Sequence, residues 1–362
     1  MNLATLRLHS QRLAGPPLAS PREAVRWLGA VQAQDYAGGK WGIAQRTAGA
    51  DDAALDRAFD AGEILRLHAM RPTWHFVAPD DVRWLLALTS PRVHAANGPT
   101  YRQLELDAPV FRRAHELFIR LLRDGRYRTR GELADALEAD GIPARGQRLA
   151  ALVMHAELEA LVCSGPRRGK HHTYALLDER APPTPALSRE EALATLAGRY
   201  FASHGPATPH DFSWWSGLTI TDARRAIDML GSAAERVEVD GTAYWFADSS
   251  AAASVADGPM VHLLPNYDEH VVAYRDHGPT VHPGARDALR GWANAALGAY
   301  LLCVDGLITG GWKRALGKQS AGLRVNPLVP LSAKHRAALR RAADSYGRFV
   351  GLPVEVEMQR RG

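Results

Sequence analysis

Residues 127–178 carry the pattern that most constrains how this chain can fold. Apolar residues recur at helical spacing after Thr129, and a longer amphipathic helix follows the turn at Pro143. A strand at Leu161–Ser164, a basic tip (GPRRGKHH) and a returning strand (TYALL) come next. Helix, turn, helix and hairpin is the plan of a winged helix, whose second helix can enter a DNA major groove while its hairpin contacts the backbone.

Two other stretches repeat this order. After the linker-like sequence APPTP, Ser188 and Glu191 have the spacing of a capping box, and Asp240-Gly241 is a strong hairpin-turn signal. A looser copy begins at Ser20 and ends in the strand-like sequence ILRLHAMRPTWHFVA. We therefore predict an α+β chain, with winged-helix unit 1 at 1–85, a helical linker at 86–126, unit 2 at 127–180, unit 3 at 186–250 and a small α+β region with a hairpin at 255–362.

The composition is that of a folded protein with several domains. The chain has 362 residues, of which 46% are hydrophobic and 23% are charged, and this excludes a long disordered or fibrous protein. Cys163 and Cys303 are too few for a disulfide framework. No window has the apolar length of a signal-peptide core or a membrane span. We therefore expect a cytoplasmic protein, associated with the nucleoid when it is bound to DNA, and no membrane partner.

Basic residues outnumber acidic ones, and arginine dominates them. The formal net charge is +5, and 5 of the 44 basic residues are lysine. Arginine binds phosphate through paired hydrogen bonds. Two predicted hairpins carry candidate phosphate-binding residues: Arg167, Arg168, Lys170, His171 and His172 on unit 2, and Lys313 and Arg314 in the last region. For any single one of them, a solvated basic surface is the alternative interpretation.

The sequence lacks the contiguous motifs of cofactor and metal enzymes. It has no lysine-containing phosphate-binding loop, no GxGxxG, GxSxG or HExxH, and no pair of cysteines at zinc-binding spacing. We therefore expect no metal and no cofactor. Asp268 and Glu269 are adjacent in NYDEH and would point to opposite faces of a strand, so we expect a structural role for both.

The peptide VQAQDYAGGKWGIAQRT at 31–47 has a spacing that matters for chemistry. Gln32 and Gln34 would lie about 200° apart on a helix, but on one side of an extended or turning backbone, which Gly38-Gly39 favours. Two amides on one side can orient a water molecule and present carbonyl oxygens to a developing positive charge. The alternative is that both residues only cap a helix end.

These residues resemble the signature of a known family. The sequence matches the AlkZ-type winged-helix DNA glycosylases, of the helix-turn-helix 42 or winged-helix DNA-binding superfamily, at QAQD (32–35), LRLHAMRPTWHFV (65–77), LLPNYDEHVVAYRDH (263–277) and VDGLITGGWKR (304–314). The resemblance runs in order along essentially the whole chain. The Gln-hydrophobic-Gln element is fairly specific, because other relatives carry Gln-hydrophobic-Asp.

The resemblance implies a fold, an activity and a site. The three units would form a C-shaped, basic channel around double-stranded DNA, with Asp35 and His75 as candidate channel-lining residues. The activity would be monofunctional hydrolysis of the N-glycosidic bond of alkylated, N7-substituted purines, including bulky adducts and some interstrand crosslinks. Gln32 and Gln34 would be the catalytic pair. Members act in DNA repair or in self-resistance to genotoxins.

The chemistry is consistent with an amide pair. An N7-alkylated purine is already positively charged, so the site has only to place water and stabilise an oxocarbenium-like sugar. Because amides do not titrate, we predict a flat pH profile between roughly pH 6 and 9. Two other function classes stay open from the pattern: a non-catalytic winged-helix DNA-binding protein such as a transcription regulator, and a protein-binding array. Three units in one chain favour a monomer enclosing one lesion over a dimer that reads two half-sites.

Overall fold

The first part of the chain begins with a short helix and then has the order helix, strand, two helices, hairpin and long helix. The computed structural model describes residues 2–247, 258–289 and 300–359. Its first elements are α1 (Leu3–Ser10), α2 (Pro21–Leu28), β1 (Val31–Gln32), α3 (Tyr36–Ala44), α4 (Asp52–Asp60), β2 (Leu65–Ala69), β3 (Arg71–Val77) and α5 (Val82–Gln103). The three strands form one antiparallel sheet in the order β1-β3-β2.

The second part repeats this order and this sheet. It comprises α6 (Ala108–Leu122), β4 (Arg128–Thr129), α7 (Arg130–Ala139), α8 (Gly146–Leu158), β5 (Val162–Arg168) and β6 (His171–Leu176). Its strand order, β4-β6-β5, is the same as that of the first sheet. The third part has α9 (Arg189–His204), α10 (Pro209–Ser216), α11 (Ile220–Leu230), β7 (Glu235–Val239) and β8 (Thr242–Phe246). There a single bridge between Ala207 and Trp245 stands where the first strand would pair.

Local signals explain where these helices and turns lie. Thr129 with Glu132, and Ser188 with Glu191, form capping boxes at the starts of α7 and α9. Each cap satisfies backbone N–H groups that the helix leaves free, and it is worth about 1 kcal/mol. Between β7 and β8, Asp240 and Gly241 have φ values of 50° and 75°, which a two-residue hairpin turn requires.

The stretch 86–126, predicted as a helical linker, is divided between two parts of the structure. Most of α5 lies in it, and the inner face of α5 packs in a core with β2, β3 and α9. By contrast, Phe111, Ala114 and Phe118 of α6 are buried against α7 and α8. The helix α6 therefore belongs to the second core, because its apolar side chains pack against α7 and α8. No helix among the described residues is long and apolar enough to cross a membrane.

The last part supports the first one. It contains β9 (Val261–Leu264), α12 (Glu269–Val272), α13 (Arg286–Leu289), β10 (Leu301–Val304), β11 (Leu307–Leu316), β12 (Ala321–Pro327), α14 (Ala333–Val350) and β13 (Val354–Met358). Five strands form one sheet in the order β13-β12-β11-β10-β9, in which β12 and β13 run parallel. Trp41 of α3 is buried against Tyr346 and Phe349 of α14, and its indole N–H donates to the carbonyl of Leu263. The first and last parts thus share one core.

Candidate active site

The Gln-Ala-Gln motif lies where β1 leads into α3. Gln32 pairs with His75 of β3, and the Ala33 N–H donates to the Trp74 carbonyl over 2.7 Å. The expectation of a turn at Gly38-Gly39 is wrong, since both residues are in α3. The glycines are needed for close packing: a Cβ on Gly39 would lie 3.2 Å from the carbonyl oxygen of Gln32.

The two glutamines are in different environments. Gln32 is 4% exposed, and its Oε1 accepts the backbone N–H of Gln34 over 3.0 Å. Gln34 itself is exposed. The two side chains therefore differ in their exposure to solvent. The pair is nevertheless joined, with one amide fixed inside and the other open to solvent.

A buried carboxylate holds the motif from behind. Glu269 accepts the backbone N–H of Gln32 through Oε1 and the indole N–H of Trp215 through Oε2, each over 2.9 Å. Nε2 of His204 lies 3.4 Å from the same Oε2, and burial lowers the pKa of His204, which keeps that ring neutral. Because Trp215 and His204 belong to the third part of the chain, Glu269 connects that part to the motif.

A second buried carboxylate lies beside Glu269. Asp268 accepts two hydrogen bonds of 2.9 Å from Arg46, and both side chains are 1% exposed. Burial alone would raise the pKa of Asp268, but the Arg46 guanidinium outweighs it and the pKa is lowered. The prediction that these acids lie on a strand is wrong, since Asp268 caps α12 and Glu269 is its first residue. Both carboxylates are fixed in buried networks.

The hairpin of the second part comes up against the motif. Arg66 of β2 is 6% exposed and donates to the carbonyl of Ala33, between the two glutamines, over 3.1 Å. A second nitrogen of Arg66 lies 3.4 Å from the hydroxyl of Ser164 in β5. Arg66 is therefore bonded to the backbone of the motif and to the neighbouring hairpin at once.

Tyr36, at the start of α3, is the other contact with that hairpin. The ring of His172 lies 5.0 Å from the Tyr36 ring, and the guanidinium of Arg167 lies 5.3 Å from it. Burial, together with Arg66 and Arg167, lowers the pKa of His172 to about 4. His172 is consequently a neutral packing residue at pH 7, although its sequence position is on a basic tip.

The predicted phosphate-binding residues of this hairpin differ in how free they are. Arg168 donates to Glu132 and to the carbonyl of Tyr127, each over 2.8 Å, so its charge is already paired. Lys170 and His171 are exposed at the tip, and the structure gives their side chains no ion pair among the residues it describes. Arg167 is half-buried over Tyr36. Lys170 and Arg167 are thus cations of this hairpin to which the described part of the structure gives no carboxylate partner.

The C-terminal candidates lie on β11. Lys313 is exposed, whereas Arg314 donates to the hydroxyl of Tyr346 and lies 5.2 Å from the Tyr300 ring. Tyr300 in turn donates to Asp35 over 2.7 Å. Asp35, predicted to line a channel, is the N-cap of α3 and accepts the N–H of Gly38. This chain of contacts connects β11 to the residue that follows Gln34.

His75, also predicted to line the channel, is enclosed by protein. It is 1% exposed, and its Nε2 has no hydrogen-bond partner among the described residues. Burial and then the nearby Arg71 lower the pKa of His75 to about 3. The register of β1 and β3 places His75 beside Gln32, but its side chain is buried.

Comparison with known proteins identifies the family. The chain matches the family model described as DNA glycosylase AlkZ-like over residues 25–349. It belongs to the AlkZ-like DNA glycosylase family. The predicted enzyme class, a DNA glycosylase that hydrolyses N-glycosidic bonds, is thereby confirmed. No signal in the sequence pointed to Glu269, Arg66 or Tyr300 as supports of the motif, since each reaches it from a distant segment.

Individual relatives agree with this assignment. The chain is 25% identical over 335 residues to a Streptomyces sahachiroi protein named interstrand DNA cross-link repair glycosylase, and 85% of each chain is covered. It is also similar to the solved structure of the Streptomyces sahachiroi DNA glycosylase AlkZ, with a TM-score of 0.74, 23% identity and 98% of each chain covered. That similarity shows that the two chains share a fold.

Proposed function

We propose that this glycosylase removes N7-alkylated purines from double-stranded DNA, with Gln32 and Gln34 as its catalytic pair. The relative named as a crosslink repair glycosylase supports extending the substrates to bulky N7 adducts and interstrand crosslinks, in repair or in self-resistance to genotoxins. The observation that carries the proposal is the motif itself: a buried Gln32 hydrogen-bonded to an exposed Gln34, on backbone held by Glu269 and Arg66.

The reaction does not require a strong general acid. Alkylation at N7 makes the purine cationic, so breaking the bond from C1′ to N9 leaves a neutral base that takes both bonding electrons. A water oxygen then bonds to C1′, and its proton passes to solvent. Preorganised amide oxygens stabilise the oxocarbenium-like sugar without having to reorganise, and the exposed amide of Gln34 can orient that water.

The cationic tip of β5 and β6 supports a DNA-binding role for this surface. Lys170 and Arg167 lie on the hairpin that contains Ser164. Ser164 contacts Arg66, and Arg66 in turn donates to the carbonyl of Ala33. We propose that the three repeated units are winged helices around one duplex, and that a single chain binds it. Phosphate contacts of this kind give affinity, while the lesion itself gives selectivity.

The decisive experiment is release of base from a duplex that contains one N7-methylguanine. Abasic sites are revealed by heat-induced strand cleavage, and the wild type is compared with Gln32→Ala and Gln34→Ala. We expect both variants to lose release while Gln34→Ala still binds the duplex. An unmodified duplex should release nothing.

Gln103→Ala, which changes an exposed glutamine at the end of α5, is the matched control and should behave as wild type. Circular dichroism of Gln32→Ala checks that loss of a buried side chain has not unfolded it. Undiminished release by Gln34→Ala would remove the glutamine pair from the chemistry.

A further inference from the structure

Three side chains that can bind a metal converge where α5 crosses α8. His94 comes from α5, His155 from the last turn of α8, and Glu159 is the C-cap of the same helix. One ligand atom from each lies within 4.8 Å of the other two. Among the residues that the structure describes, this is the group of histidines and carboxylates with such spacing, and it shares no residue with the glutamine motif.

Two of the three side chains in this group are already in contact. Nε2 of His94 is buried and lies 3.0 Å from Oε1 of Glu159. His155 and Glu159 are one helical turn apart, a spacing at which two side chains reach the same point.

A third histidine stands behind His155. Nε2 of His115, on α6, lies 3.2 Å from Nδ1 of His155, and Phe111 stacks on the His155 ring at 3.6 Å. Such a contact fixes the orientation of a ligand ring.

We propose that His94, His155 and Glu159 bind a divalent transition-metal ion of the zinc type, with His115 as the hydrogen-bond partner of His155. Two imidazoles and a carboxylate are a donor set that zinc accepts and that magnesium and calcium do not favour. Bonds of about 2.0–2.2 Å place tetrahedral ligand atoms roughly 3.3 Å apart. Small rotations of His94 and of the half-exposed Glu159 would reach that spacing, and water would complete the coordination.

An ion at this position would have a structural role. It would join α5, which follows the sheet of the first part, to α8 of the second part. The neighbouring Glu157 of α8 is already hydrogen-bonded to His68 of β2, so the ion would add a further connection between the same two parts. The hairpin that contacts Arg66 and Tyr36 would then be held more firmly relative to the motif.

The test uses the full chain without an affinity tag, stripped with a chelator and titrated with zinc in a calorimeter. We expect one equivalent to bind to the wild type, and cobalt to give the visible absorption of a tetrahedral site. Glu159→Gln and His155→Ala should weaken zinc binding at least about tenfold, since each removes one of three protein ligands. At a given zinc concentration, zinc should raise the melting temperature of the wild type more than that of Glu159→Gln.

His335→Ala is the matched control. His335 also lies near a carboxylate, 2.9 Å from Asp305, but without further ligands among the described residues, so its loss should leave zinc binding unchanged. Substoichiometric binding, or equal affinity in the wild type and Glu159→Gln, would overturn the proposal. Glu159 is 51% exposed, so this variant folds even if His155→Ala does not. Because the readouts are metal binding and melting temperature, the glycosylase assay does not affect the outcome.

Discussion

The glutamine motif and the basic tip of the β5–β6 hairpin differ in how firmly their groups are held by the rest of the protein. The backbone of the motif is fixed from three sides, by Glu269, by Arg66 and through Asp35. At the tip, Lys170 is exposed and makes no ion pair in the described structure. The difference fits the two roles proposed for these regions. Orienting water needs groups that are already in place, whereas contacting a phosphate backbone needs charge that can adjust.

The largest effect should come from the exposed member of the motif. Gln34→Ala removes the amide proposed to orient water, and we expect the rate of base release to fall by about 100- to 1,000-fold. Because the side chain is exposed, duplex affinity should stay within about twofold of wild type. Single-turnover release and a binding titration measure the two quantities. An equal fall in affinity would mean that Gln34 binds DNA rather than acting on it.

The next effect separates the two adjacent carboxylates. Glu269→Gln replaces one carboxylate oxygen by an amide N–H, although the groups that face it, the Gln32 N–H and the Trp215 indole N–H, are themselves donors. We expect base release to fall about tenfold and the free energy of unfolding to fall by about 1–3 kcal/mol. Asp268→Asn breaks the buried pair with Arg46 and should cost about 3–5 kcal/mol in unfolding free energy.

The rate of the folded Asp268→Asn protein should be that of wild type, because Asp268 does not contact the motif. Single-turnover rates and urea unfolding together distinguish these cases. If both variants slow release alike, Glu269 has no special part in positioning Gln32.

The buried histidines His75 and His270 predict that the stability of the protein depends on pH. Burial lowers the pKa of His75 to about 3 and that of His270 to about 4, whereas the unfolded value is 6.5. As the pH falls through 6.5, the unfolded chain takes up protons that the folded chain cannot. The free energy of unfolding should therefore drop by about 1 kcal/mol for each of these histidines between about pH 6.5 and pH 5.5.

Urea unfolding at several pH values measures that drop. His270→Asn and His75→Asn should each flatten the profile if they fold. A free energy of unfolding that stays constant down to about pH 5 would show that these rings are protonated in the folded state. Because the groups proposed for catalysis are amides, the rate of base release should stay flat between roughly pH 6 and 9.

A last effect belongs to the basic tip. Replacing Arg167 and Lys170 together by alanine should weaken binding of any duplex by about tenfold at moderate salt and reduce the salt slope by about 2. Arg236→Ala changes an exposed arginine on the corresponding β7–β8 hairpin, which is already paired with Glu238, and serves as the control. Binding titrations over a series of salt concentrations measure both. An unchanged slope in the double variant would exclude this tip from the DNA interface.

Local elements and the family are readable from the amino-acid sequence. Capping residues such as Thr129 and Ser188, the turn at Asp240-Gly241 and the periods of the apolar residues predict helices and hairpins close to those observed. These signals are readable because each depends on residues a few positions apart. The motif at Gln32 and Gln34 was found in the same way, by its spacing and its resemblance.

The tertiary structure alone decided what surrounds those residues. Glu269 accepts the backbone N–H of Gln32, although the two residues are 237 positions apart in the sequence. His94, His155 and Glu159 come together from α5 and α8, which are not adjacent in the sequence. Burial likewise turned His75 and His172 into neutral packing residues. Desolvation and hydrogen bonding depend on which segments meet in space, and spacing along the chain carries no such information.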